Sequence, residues 1–344
     1  MRILRVVFLA ALILSPVTAR QSDQGPTDPK AQKTYNDALQ KLHGHEPVPA
    51  LDGFKKADKQ DGGHCAACQA QMVQLGTELG DLKTAELGAT ELILEAKTRT
   101  DVALAHNRLG AILLDEALKG NKREIYARAH DEFSKAIENY PEYANALFLD
   151  GRALAHLQQD DAAKARFAEF QKVAQPDDLR MKRVARFIED PSLARARMAP
   201  AFTVTTLDGQ RISMDDLQGK VVLIDFWATW CGPCREALPH MQAIAKKFQG
   251  QPFVILSISM DKEDAPWKEF VAKHEMTWLQ YRDGYFNGFL AKLFAVDAIP
   301  HTFSIDADGV LQDEHIGDAD IEGKLKKLIV HAKELQAAGT SASK

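Results

Sequence analysis

The chain has 344 residues with nearly balanced charge, a net −5 with 43 basic and 48 acidic side chains. That length exceeds what one small core serves, so two domains are expected. The mild negative charge and scattered Lys/Arg give no electrostatic footprint for nucleic acid, which is excluded as a partner class.

In chain order, residues 1–19 read as a secretory signal peptide. Arg2 and Arg5 precede the apolar run Val6–Leu14, which Ser15-Pro16 breaks before the small residues Val17-Thr18-Ala19. The run is shorter than the ~20 residues a spanning helix needs. Cleavage is therefore favoured over a retained anchor, and the expected location is periplasmic or otherwise exported, where disulfides persist. Residues 20–30 are polar and contain Pro26 and Pro29, a disordered lead-in by composition.

Residues 31–175 carry a helical pattern with an internal period. Ala129, Phe133, Ala136 and Pro141 fall at spacings of 4, 3 and 5, and Ala129→Ala163 and Phe133→Phe167 both repeat at 34. The same spacing recurs at Ala50, Phe54 and Ala57, and in weaker form at Ala85, Ala89 and Leu92. A 34-residue period with small residues at fixed points and one aromatic per unit resembles the tetratricopeptide repeat. Ala and Gly let paired helices approach, and the aromatic fills the gap between units. The resemblance implies a solenoid of four degenerate repeats whose concave face binds a peptide or protein ligand; a spacer or dimerisation surface is the alternative. Ten extra residues between Ala85 and Ala129 are assigned to a long helix and a loop around Lys119–Lys122.

Within this region His64-Cys65-Ala66-Ala67-Cys68 admits four readings: two small core residues, a local disulfide, a metal site with His43, His45 and His64, or a redox relay. Metal is disfavoured because a helix over Val48–Gln60 separates His43 and His45 from Cys65 by roughly 20 Å. Haem attachment is disfavoured because Gln69, not His, follows Cys68. No cofactor or metal is expected. Residues 176–199 read as a basic capping helix (Arg180, Lys182, Arg183, Arg186), a break at Asp190-Pro191 and a linker.

From residue 200 to 338 the periodicity changes. A hairpin around Asp208-Gly209 precedes strand Val221–Trp227, helix Gly232–Phe248 with an internal Pro239, and strand Phe253–Ser259. Helices Ala265–His274 and Asn287–Phe294, strands His301–Ile305 and Val310–His315, and a closing helix Ala319–Leu335 follow. Alternating strands and helices with a final hairpin give an α/β domain, a mixed sheet with helices on both faces. Residues 339–344 are small and polar, a flexible tail.

The most informative segment is Val221–Pro239, VVLIDFWATWCGPCREALP. Cys231-Gly232-Pro233-Cys234 stands at a strand-to-helix junction, with two thiols close enough to form a small ring. The first lies at a helix N-terminus, where free N–H groups and the dipole favour the thiolate, the attacking species in disulfide exchange. Asp225, a carboxylate in an apolar strand, is costly unless protonated or paired.

Gly219-Lys220-Val221-Val222, the Phe226–Arg235 segment, Pro239, Ile299-Pro300 and Asp306–Gly309 together resemble the thioredoxin fold, and in detail the TlpA/ResA-type exported thiol–disulfide oxidoreductases. The resemblance implies that Cys231 is the exposed nucleophile and Cys234 the resolving thiol. It makes Pro300 a cis-proline, and makes Ile299 and Trp230 part of a substrate-docking wall. It makes Asp225 a proton acceptor for Cys234, a structural Asp being the alternative. His301 replaces the usual small hydroxyl residue, to tune the thiolate or to cap the strand. Asp261, Glu263, Asp264 and the Asp306/Asp308 pair fit no calcium loop, so turn chemistry is expected of them.

The reading is thus an exported enzyme, acting as a protein-disulfide reductase through its own Cys231–Cys234 couple. A membrane thiol reductase would be its electron donor, and exported disulfide proteins, including apocytochrome c in cytochrome c maturation, its substrates. An adaptor function carried by the repeats, and a disulfide oxidase or isomerase, are the rivals.

Overall fold

The computed structural model describes residues 25–317 and 321–342; the signal-like segment 1–19 lies outside them. The chain divides after Arg195 into two compact units.

The first unit is all helical: α1 (Pro29–His43), α2 (Pro47–Gln60), α3 (Ala66–Leu79), α4 (Leu82–Glu95), α5 (Arg99–Gly120), α6 (Arg123–Asn139), α7 (Ala144–His156), α8 (Asp160–Val173), α9 (Met181–Glu189) and the single turn α10 (Ser192–Arg195). Consecutive helices pair as α1/α2, α3/α4, α5/α6 and α7/α8, the four units expected. The period has a direct steric cause. A methyl group placed on Gly110 of α5 would lie 2.7 Å from the Phe133 ring of α6, and one on Gly151 of α7 would lie 2.5 Å from Phe167 of α8. Glycine therefore sets how closely each pair packs, and Phe133 and Phe167, both wholly buried, fill the remaining space. The ten extra residues lengthen α5 to 22 residues, and Asn121 ends it in the left-handed region at φ 48°.

Polar groups reinforce the packing. The fully buried Asp150 of α7 accepts from His130 Nδ1 of α6 at 2.6 Å and from Arg166 Nε of α8 at 2.7 Å. The lead-in assignment needs correction at its end. Asp28 caps α1 through the amides of Lys30 and Ala31, and Asp61 accepts from the amides of Thr27 and Asp28, both at 2.8 Å. Proline is favourable in a first helical turn, where no N–H is required, so Pro29 starts the helix instead of extending the coil.

In the second unit β1 (Thr203–Thr205) and β2 (Arg211–Ser213) form the expected hairpin. Strands β3 (Val221–Trp227), β4 (Phe253–Ser259), β5 (Leu279–Arg282), β6 (His301–Ile305) and β7 (Leu311–Ile316) form one sheet in the order β5-β4-β3-β6-β7. The β3/β4 and β4/β5 pairs are parallel, and β3/β6 and β6/β7 antiparallel. Val221 and Leu223 pack with Ile244 of α11 (Gly232–Lys247), with Phe248 at its C-cap, and with Leu325 and Ile329 of α14 (Glu322–Ala342). Val222, Ile224 and Phe226 pack with Leu290 and Phe294 around α13 (Phe289–Leu293) and with the hairpin's Phe202, Val204 and Ile212. Helix α12 (Asp264–Lys273) adds Trp267 and Val271.

Three expectations are corrected. β5 is a short strand within a stretch read as a connection, and it pairs with the edge of β4. Helix α14 runs to Ala342, into the segment set apart as tail, because Ala337, Ala338 and Ala342 are strong helix formers. The linker also ends earlier than residue 199. The Ala199 amide donates to Gly309 at 2.9 Å and the Leu311 amide to Arg197 at 2.7 Å, which fastens this segment to the β6–β7 turn.

Candidate active site

Strand β3 is buried along its whole length. Register sets Asp225 opposite Ser257 on β4 and Thr302 on β6. After Trp227 the chain turns sharply, and Asp261, just past β4, holds the turn. Its carboxylate accepts from the Thr229 amide at 3.0 Å, from Thr229 Oγ1 at 2.6 Å and from Ser259 Oγ at 2.7 Å.

The turn delivers Cys231 to the N-cap of α11, with Gly232 and Pro233 in the first helical turn. Cys231 and Cys234 are joined as a disulfide, their Cα atoms 5.3 Å apart. The Cys234 amide donates to Cys231 Sγ at 3.2 Å. That bond, at the positive end of the helix dipole, favours charge on the Cys231 sulfur once the pair is reduced.

The expected exposure of Cys231 is not seen in this oxidised state. It is 5 % exposed against 7 % for Cys234, its sulfur bonded to Cys234 Sγ and accepting from the Cys234 amide. The outward group is Trp230, 53 % exposed. Its ring lies 6.1 Å from Tyr285, over which Lys262 Nζ sits at 4.4 Å. Pro300 follows a cis peptide bond from Ile299, and Ile299 packs on the core.

Beside Cys234 lies a small, partly open cavity of about 20 Å³, whose lining includes Asp225, Cys234, Arg235, Leu238, Met276 and Pro300. Asp225 and Cys234 thus line one space. Asp225 Oδ2 accepts from Ser257 Oγ at 3.0 Å, and Ser257 Oγ accepts from Trp278 Nε1 at 2.8 Å. Burial pushes the Asp225 carboxyl up to about 6, against the opposing pull of the Ser257 bond.

His301 does not join this group. It pairs across from Phe226, and neighbouring strand residues face opposite ways, so it lies on the other sheet face from Asp225. There it is 1 % exposed, stacks on Phe303 at 4.5 Å and meets Glu314 Oε1 at 3.1 Å. Of its two expected roles, holding the strand is the one its contacts serve. Asp306 behaves as turn chemistry requires, accepting from the Asp308 and Val310 amides at 2.9 Å.

The second pair, Cys65 and Cys68, is also a disulfide, with both residues fully buried. Cys65 caps α3, and the Cys68 amide donates to its sulfur at 3.1 Å. Asp58 accepts from the Cys65 amide and from Gln69 Nε2. Glu91, near Asp58, is pushed up to about 7 by burial and by that neighbouring carboxylate.

Sequence reasoning missed the parts of the site that other elements supply. Ser257 and Trp278 tie Asp225 to β4 and to the segment before β5, and Asp261 was read only as turn chemistry. Tyr285 had a signal: two aromatics between Gly284 and Gly288 in a polar loop are out of place unless they face something.

The AhpC/TSA family matches residues 196–314. The chain is 31% identical over 145 residues to "Thiol-disulfide oxidoreductase ResA" of Bacillus thuringiensis subsp. konkukian, a match spanning 41% of this chain and 83% of that protein. It is 32% identical over 131 residues to "Thioredoxin-like protein YneN" of Bacillus subtilis, spanning 38% of this chain and 75% of that one. A solved structure, the thioredoxin domain of a thiol–disulfide oxidoreductase from Bacteroides vulgatus, aligns at 26% identity and TM-score 0.36 over 38% of this chain and 95% of that one.

Proposed function

The chain belongs to the ResA-type thiol–disulfide oxidoreductases, and from that premise we propose that it works as an exported reductase of protein disulfides, with its helical unit holding a partner protein. The observation that carries this reading is the joint placement of Cys234 and Asp225 on one small cavity, with Cys231 at the N-cap of the same helix as Cys234.

The reduced Cys231 thiolate attacks one sulfur of a substrate disulfide. A Cys231–substrate bond forms, and the substrate's other sulfur leaves as a thiolate and takes up a proton. Cys234 then attacks Cys231 Sγ, the mixed disulfide breaks, and the second substrate thiol is released. Substrate gains two electrons and two protons, and the Cys231–Cys234 disulfide is regenerated.

Cys234 must lose its proton to attack. Asp225, held near pKa 6 by burial, is ionised at neutral pH and accepts it. The shared cavity has room for one bridging water. Trp230, with Ile299 and cis-Pro300, would grip the extended substrate segment, Ile299 through its backbone by strand addition. A membrane thiol reductase would return the couple to the dithiol, since an exported compartment is out of reach of the cytosolic thioredoxin reductase.

The test is the potential of the Cys231–Cys234 couple in glutathione and dithiothreitol buffers, read by mass spectrometry of alkylated peptides so that Cys65–Cys68 does not contribute. A value near about −250 mV or lower supports the reductase; one near about −150 mV or higher overturns it in favour of oxidation or isomerisation. Cys234→Ser should trap mixed disulfides that Cys231→Ser cannot form.

A further inference from the structure

The parallel strands β3, β4 and β5 end level with one another: Trp227 pairs with Ser259, and Ser259 with Arg282. Three positions beyond these ends stand Trp230, Lys262 and Tyr285, and their side chains meet. The Trp230 and Tyr285 rings lie 6.1 Å apart, tilted by 45°, and Lys262 Nζ sits 4.4 Å from the Tyr285 ring. Both rings reach solvent, and Trp230 adjoins Cys231 in sequence.

The three loops are fastened to each other. Asp261 holds the Thr229 turn. Arg282 Nη1 donates to the carbonyls of Asp261 at 3.3 Å and Lys262 at 2.9 Å, and the Asp283 amide donates to Ser259 at 2.9 Å. The Asp283 carboxylate accepts from the amides of Leu290 and Ala291, at 3.0 and 2.7 Å, and fills the space that a Cβ on Gly288 would need. Phe286, packed on the core, meets the Tyr285 ring edge-on at 5.0 Å.

Tyr285 is held here at a backbone cost. Its φ is 96°, a region that glycine adopts freely and a bulky residue does not. No internal bond accounts for the choice of residue. Among the described residues its hydroxyl makes no hydrogen bond, and its side chain stays exposed. Lys262 likewise has no carboxylate partner among them, since Asp261 is taken up by Thr229, and Asp264 by Arg282 and Lys268. A strained residue, rigidly supported and open to solvent next to the reacting pair, points to a contact with substrate.

We propose that Tyr285 determines which disulfides this site selects. With Trp230 it seats the substrate residue that adjoins the attacked cysteine, and it favours an aromatic side chain there. Lys262 acts as a positioning residue: its ammonium covers one face of Tyr285 and fixes the ring toward Trp230. A third ring packing against two tilted rings gains contact in offset or edge-to-face geometry that an aliphatic side chain does not. The proposal rests on the reading of the site as a reductase of protein disulfides.

The test uses the full-length protein with Cys231–Cys234 reduced, and two synthetic peptides. Each holds one intramolecular disulfide, with Phe beside both cysteines in one and Ala in the other. Rates of peptide reduction, read by acid quench and alkylation, should favour the Phe peptide by about tenfold. Tyr285→Gly, which suits φ 96° and so folds without strain, should bring the ratio of the two rates close to one. Tyr285→Phe should keep the ratio, and Lys262→Met should lower it by about threefold. Phe289→Ala, an exposed aromatic on the same segment, should leave it as it is.

Equal rates for the two peptides with the parent protein would overturn the proposal and leave the reductase reading standing. So would a Tyr285→Gly protein that slows both peptides in proportion, because a merely structural residue acts on the cysteine pair and not on the choice of substrate. If the parent reduces neither peptide nor oxidised glutathione, the reductase reading falls and the proposal with it.

Discussion

Asp225 decides how far the site's chemistry costs stability. Its carboxyl is raised from 3.8 to about 6, so folding is opposed by the ionised form. The penalty is absent below about pH 4, grows as pH rises, and is complete above about 6. Asp225→Asn should then stabilise the folded chain by about 3 kcal/mol at neutral pH and by nearly nothing at pH 4, as denaturant titrations at the two pH values will measure. The same variant should slow disulfide reduction, because Cys234 loses its proton acceptor; a variant as fast as the parent would remove Asp225 from the mechanism. Cys231, Cys234 and Asp225 were legible in the sequence, marked by local spacing or by a residue out of character with its strand, and Pro300 only through the family resemblance. The sequence could not place Ser257, Trp278 or Asp261, whose roles arise only when β4 is laid beside β3. Nor could it choose between a buried thiol pair and a disulfide at Cys65 and Cys68, because the same spacing serves both.

At the level of elements, the repeat was legible because sterics writes it into composition. The α5/α6 and α7/α8 pairs each set a residue without a side chain against a phenylalanine, and Phe133 and Phe167 recur at the repeat period. Gly151→Ala should cost about 1–3 kcal/mol, because its methyl would meet the Phe167 ring 2.5 Å away. Gly323→Ala in α14 meets nothing within 4 Å and should gain about 0.5–1 kcal/mol from reduced freedom of the unfolded chain. Thermal melts of the two variants separate steric from entropic effects; a shift of the same sign in both would refute the packing argument. β5 was missed for the opposite reason. Leu279–Arg282 is four residues long with a buried Gln280, and only its parallel partner β4 makes a strand of it.

As a whole molecule the chain has two units with separate cores, one built from alanine, leucine and phenylalanine between helices, the other from strand residues between sheet and helices. Unfolding should therefore proceed in two transitions. Asp225→Asn should move only one of them and Gly151→Ala only the other; a single transition shifted by both would show that the units unfold together. The site has a last consequence, an optical one. All four tryptophans, Trp227, Trp230, Trp267 and Trp278, belong to the redox unit, and Trp230 adjoins the disulfide in sequence and stands half in solvent. Indole emission from the intact protein thus reports on that unit alone. Because a nearby disulfide quenches indole, reduction of Cys231–Cys234 should brighten the emission, so the chain can be followed through turnover without a dye.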